Sequence, residues 1–151
     1  MLVYMWQAQD KCIITPAAVM VNGTTIFTIT GGPIVILELF SICVTANDAT
    51  ASTLQWSSTP TVGTAKTFSG ATATLANATA GTVIRLNPTA LTTATDITTA
   101  ANGGVALGAN VANRIIVKDG TITTVIGVGS TTGTWRHALR YSPLTPDSIV
   151  N

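Results

Sequence analysis

Residues 34–45 would be apolar on both sides of a β-strand. Ile34, Ile36, Phe40, Ile42 and Val44 share one side with Glu38, while Val35, Leu37, Leu39, Ser41, Cys43 and Thr45 share the other. A strand with one wet face alternates polar and apolar residues. This one does not, so it predicts two covers: an opposing sheet and a neighbouring subunit. Its β-branched content and the preceding Gly31-Gly32-Pro33 argue against a buried helix. The run is also too short to cross a bilayer as a helix, and Glu38 sits at its middle. A bulge would divide so long a strand. Of its two largest middle residues, Leu37 is expected in the core and Phe40 at the interface, because Phe40 shares its side with Glu38.

The rest of the chain supports the same reading. Seven Lys or Arg and six Asp or Glu in 151 residues make a charged fraction of 9%. Soluble domains usually carry about 25%. The formal charge of +1 is too small to draw in an anionic polymer over long range, so no nucleic-acid partner is expected. Low-charge faces protect poorly against association, and here they are expected to be interfaces. The length suits one domain. The start, Met1 to Trp6, is apolar without a basic region, and Asp10 and Lys11 follow before any cleavage motif. Synthesis in a cytoplasm, with no membrane contact, is therefore expected.

Short β-branched runs bracketed by Gly, Asn, Asp and Pro predict an all-β chain: an antiparallel β-sandwich or jelly roll with short strands and long Thr/Ala/Gly-rich loops. Asn22-Gly23 predicts a hairpin joining residues 18–21 to 24–30, and Asp119-Gly120 a second joining 114–118 to 121–128. Residues 52–57 and 82–86 read as strands. Residues 65–75 read as extended, with Phe68 as anchor. Residues 88–113 read as a surface excursion with a short strand near 104–107. In residues 134–141, Trp135, His137, Leu139 and Tyr141 share one side and Arg136, Ala138 and Arg140 the other. Residues 1–14 form an N-terminal arm or an edge strand, and 15–151 a single β-sandwich domain.

Chemistry-bearing groups are scarce. His137 is the one histidine, and its strand neighbours Trp135 and Leu139 mark it as packed rather than catalytic. No Gly-x-Ser-x-Gly frames a nucleophile, and the Asp residues are scattered without a calcium-loop spacing. Cys12, Cys43 and His137 match no zinc motif; the two cysteines read as buried free thiols, with one disulfide between them as the alternative. Neither catalytic residues, a metal nor a cofactor is expected, and the chain is not expected to be an enzyme.

The segments 25–33 (Thr-Ile-Phe-Thr-Ile-Thr-Gly-Gly-Pro), 129–135 and 139–144 resemble small structural proteins of tailed bacteriophages, over residues 15–146. Within that group the chain is most similar to capsid cement, or decoration, proteins. The resemblance implies a virion protein on the outer capsid surface at local threefold points. There it would clamp adjacent subunits of the phage major capsid protein and stabilise the head, as a homotrimer. Tyr4, Trp6, Glu38, Phe40, Arg136 and Arg140 are the suspected interface residues. The alternatives are a tail or baseplate structural module, or a head-surface domain binding a host-surface glycan. The glycan reading requires Trp56, Trp135 or Tyr141 to be exposed for stacking on sugars.

Overall fold

The computed structural model describes residues 10–86, 105–107, 115–128 and 130–151, the side chains of 105–107 excepted. Tyr4 and Trp6, and most of 88–113, lie outside the described residues. The strands are β1 (Lys11–Ile14), β2 (Ala18–Val19), β3 (Thr25–Thr30), β4 (Ile34–Cys43), β5 (Thr53–Pro60) and β6 (Lys66–Thr67). They continue as β7 (Val83–Arg85), β8 (Val105–Leu107), β9 (Ile115–Val117), β10 (Gly120–Gly127), β11 (Thr134–Pro143) and β12 (Ile149–Val150). No helix occurs among the described residues. The large sheet has the order β1-β11-β4-β9-β8, with β2 also pairing β11 and β7 also pairing β4. The small sheet has the order β12-β3-β10-β5-β6. All pairs are antiparallel.

The all-β sandwich is the fold expected, and its connectivity is that of a jelly roll. The chain swaps sheets from β2 to β3, β3 to β4, β4 to β5, β6 to β7, β9 to β10, β10 to β11 and β11 to β12. Late strands lie between early ones: β11 between β1 and β4, β10 between β3 and β5. Interleaving of this kind is how a double-sheet jelly roll winds.

Neither predicted hairpin forms. Asn22-Gly23 is a tight turn, with Thr24 N donating to Val21 O at 3.2 Å and Gly23 at φ +78. Its flanks part company, β2 joining the large sheet and β3 the small one. The partner that holds the turn is β10. Buried Thr124 donates its hydroxyl to Val21 O at 2.9 Å, and Asn22 Oδ1 accepts from Ile126 N at 3.0 Å. Asp119-Gly120 likewise carries the chain from β9 in the large sheet to β10 in the small one. A Cβ on Gly120 would lie 2.2 Å from Thr59 O, so glycine is required for β5 to approach. Gly31-Gly32-Pro33 makes the third such corner, and Ser148 Oγ donates to Pro33 O at 2.9 Å to fasten the C-terminal turn onto it.

The predicted bulge is present in β4. Arg140 of β11 faces Glu38, but Tyr141 faces Ile36, leaving Leu37 as the extra residue. The bulge reverses which alternate side chains point inward. Ile34 and Ile36 are buried before it; Leu39, Ser41 and Cys43 are buried after it. Leu37 is therefore on the outer face and half-buried, not in the core, and Leu39 fills the core position. Phe27 and Ile29 of β3, Leu54 and Trp56 of β5, Ile122 and Ile126 of β10, and Trp135, Leu139 and Tyr141 of β11 complete the space between the sheets.

The stretch predicted as extended over 65–75 contains only the short β6 and then follows β5 irregularly. Side-chain hydroxyls replace ladder bonds there: Trp56 N donates to Ser69 Oγ at 2.9 Å and Leu54 N to Thr72 Oγ1 at 3.0 Å. Phe68, 1% exposed, anchors it as expected.

Asn47 joins three parts of one end of the sandwich. Its Oδ1 accepts from Gly133 N at 3.0 Å and from Trp135 Nε1 at 3.2 Å, and its Nδ2 donates to Leu75 O at 3.0 Å. Replacing Asn47 by Ala strands Gly133 N and Trp135 Nε1, each worth about 1–3 kcal/mol when unpaired, while Leu75 O keeps Ala78 N at 3.1 Å. Asn47→Ala is expected to lower unfolding free energy by about 3 kcal/mol, measured by urea denaturation. A loss under about 0.5 kcal/mol would mean that water replaces the amide.

Candidate functional site

The outer face of the large sheet gathers four of the suspected residues. Across β11 and β4 the outward pairs are Arg136 with Ile42, Ala138 with Phe40, and Arg140 with Glu38. β1 and β7 extend these rows, Ile14 lying beside Ala138, Arg85 beside Phe40, and Val83 beside Ile42. The result is an apolar stripe of Ile14, Phe40, Ile42 and Val83 across the strands. Ile14 is 58% exposed and Val83 59%, while Phe40 and Ile42 are half-buried.

Charged groups flank that stripe. Arg85 pairs with Glu38 at 3.1 Å and Arg140 with Asp10 at 2.8 Å. Arg136 is exposed and forms no ion pair among the described residues. Sequence reasoning placed Arg85 in a strand but missed its role beside Glu38, 47 residues away. It also missed Ile14 and Val83. No local signal joins these residues, because the strands meet only through the fold. Cys12 is exposed rather than buried, since it lies on edge strand β1 facing outward beside Arg140.

The inner face carries the other polar group of interest. His137 is buried, and its Nδ1 lies 2.7 Å from Ser41 Oγ, directly across the β11–β4 ladder. Ser41 is 0% exposed, so its hydroxyl has no open path to a substrate. The pair orients the imidazole. Cys43 is on the same inner face, where burial pushes its thiol up, whereas Cys12 is on the opposite face. No group of three or more His, Cys, Asp or Glu that could hold a metal occurs among the described residues. Trp56, Trp135 and Tyr141 are 2%, 0% and 3% exposed, so none offers a ring for stacking on a sugar. Trp135 Nε1 is bound by Asn47, and Tyr141 OH accepts from Val150 N at 3.2 Å.

Compared with known proteins, the chain matches no family model, no curated protein and no solved structure.

Burial holds the His137 imidazole down at about 4, from an ordinary value of 6.5. Between those values the unfolded chain takes up a proton that the folded chain refuses. Stability therefore rises with pH across this window and is lost as pH falls from 6.5 toward 4. The full span corresponds to roughly 3 kcal/mol. Urea unfolding near pH 7 and near pH 4.5 should show this loss, and His137→Gln, which has no proton to gain, should flatten it. Equal pH slopes in the two proteins would assign the acid sensitivity to other groups.

Proposed function

We propose that this chain is a structural protein of a phage virion that binds the outside of the capsid and clamps adjacent subunits of the major capsid protein. The docking surface is the outer face of the large sheet. The observation that carries this reading is the four-strand apolar stripe centred on Phe40, flanked by the exposed Arg136. Together with Glu38–Arg85 and Arg140–Asp10, these groups carry one cation in excess among the described residues, which suits an acidic partner surface. The resemblance of residues 25–33, 129–135 and 139–144 to phage structural proteins supports the same class of partner.

Three copies suit attachment at a threefold point. Each contact can be weak if several engage together, since linked sites raise effective affinity. A closed trimer also limits open-ended growth from apolar faces. Sedimentation is expected to give a trimer in solution, or a monomer that becomes trimeric on capsids. A stable dimer in both settings would refute the assignment.

Electron microscopy of purified virions should place density for the chain on the outer shell at local threefold positions. Density on the tail would favour a tail or baseplate module, and absence from the particle would end the proposal. Phe40→Asp brings an unpaired carboxylate into the contact, a penalty of about 3 kcal/mol, or roughly 100-fold in affinity. It should lose capsid binding while keeping the melting temperature within a few degrees. Loss of the fold in Phe40→Asp, with capsid binding untouched in Arg136→Glu, would remove this face as the docking surface.

A further inference from the structure

One end of the sandwich holds a cavity of about 270 Å³ that opens to solvent. Its walls come from the β1–β2 connection, the start of β3, and the inner face of β11. Pro16, Val19, Met20, Ile26 and Trp135 make most of the lining, and His137 is its titratable group. Ligand sites are usually apolar clefts with a few placed polar groups, about 300–1,000 Å³ in volume. This cavity is near the lower bound, so it suits a molecule of one ring. Trp135 gives a fixed wall, being 0% exposed. Met20 gives an adaptable one, since an unbranched thioether fills irregular gaps.

The polar group inside is defined by its own partners. Among the described residues Ser41 Oγ has one hydrogen-bond contact, His137 Nδ1 at 2.7 Å. A buried hydroxyl with one partner gives it its proton. Nδ1 then accepts, and a neutral imidazole carries its hydrogen on Nε2. That N–H has no partner among the described residues. Thr124, also on the wall, has its hydroxyl committed to Val21 O at 2.9 Å, and Thr15 Oγ1 accepts from His137 N at 2.9 Å. A molecule with an apolar body and one acceptor satisfies both the walls and the N–H.

We infer that this cavity binds a small, neutral, largely apolar molecule whose one hydrogen-bond acceptor takes the Nε2 proton of His137. The site lies between the sheets and is separate from the outer face proposed to dock on a capsid, so either can fail without the other.

The probes are acetophenone, which has a carbonyl acceptor, and cumene, which has nearly the same shape without one. The full chain is labelled at methionine methyls and histidine nitrogens and titrated by NMR; the single histidine makes its assignment unique. Acetophenone is expected to saturate with a dissociation constant of about 1 mM, as its size allows, moving both the Met20 methyl and His137 Nε2. Cumene should move the Met20 methyl and leave Nε2 in place. Ala18, exposed at the rim and directly across from the inward-facing Trp135, has room for a larger side chain, and Ala18→Trp should fill the mouth and weaken both probes at least tenfold. The inference is overturned if no saturable Met20 shift appears up to the solubility limit. It is also overturned if acetophenone leaves Nε2 unmoved, or if a folded Ala18→Trp binds as well as the unaltered chain. Should that variant not fold, the two titrations on the unaltered chain decide alone.

Discussion

The extra residue in β4 is the constraint on which both faces of the large sheet depend. Without it, strict alternation would turn Glu38, Phe40 and Ile42 inward after Ile34 and Ile36. A carboxylate would then lie between the sheets, and an isolated buried charge is far more expensive than a local kink. The bulge at Leu37 lets Glu38 reach Arg85 in the open and sends Leu39 into the core. It also sets the register that follows. Ser41 meets His137 inside and Phe40 meets Ala138 outside because β4 has slipped by one residue before them.

The corners show what turn chemistry can and cannot specify. Asn22-Gly23 and Asp119-Gly120 are turns at the places the sequence indicates, with glycine where a left-handed backbone or a close approach needs it. A turn fixes the local reversal but not the sheet that each flank joins. That choice is made by distant partners: β11 takes β2, and β10 takes both β3 and the turn itself through Thr124 and Asn22. Strand content and the two-sheet class were thus readable from residue type and period. The jelly-roll winding was not, because it depends on contacts such as Met20 N to Thr131 Oγ1, 111 residues apart.

The site divides in the same way. The alternation in β11 correctly separated Trp135, His137, Leu139 and Tyr141 from Arg136 and Arg140, since an uninterrupted strand obeys its period. In β4 the same rule failed for Leu37, because an inserted residue leaves no mark in a run where both sides are apolar. Arg85 as partner of Glu38 and Ser41 as partner of His137 were hidden for a different reason. Their separations in the chain, 47 and 96 residues, carry no periodic signal. The cavity beside Met20 was hidden too, since it is the gap left where β2 and β3 diverge toward different sheets.

The two faces of the large sheet differ in how firmly their polar groups are held. Inside, Asn47 and His137 are bound by buried partners, so moving either exposes unpaired groups in a dry setting where they are most costly. Outside, the Arg85 side chain is 70% exposed and its Glu38 partner 36%; Arg140 and Asp10 are 48% and 43% exposed. Ion pairs so open to water contribute about 0–1 kcal/mol. An incoming carboxylate can therefore take Arg85 or Arg140 from its present partner at little expense, with Arg136 already unpaired. In the contact proposed above, the apolar stripe would give area and the arginines orientation. The same bulge thus puts Leu39 and Ser41 among buried partners and Glu38 among exposed ones.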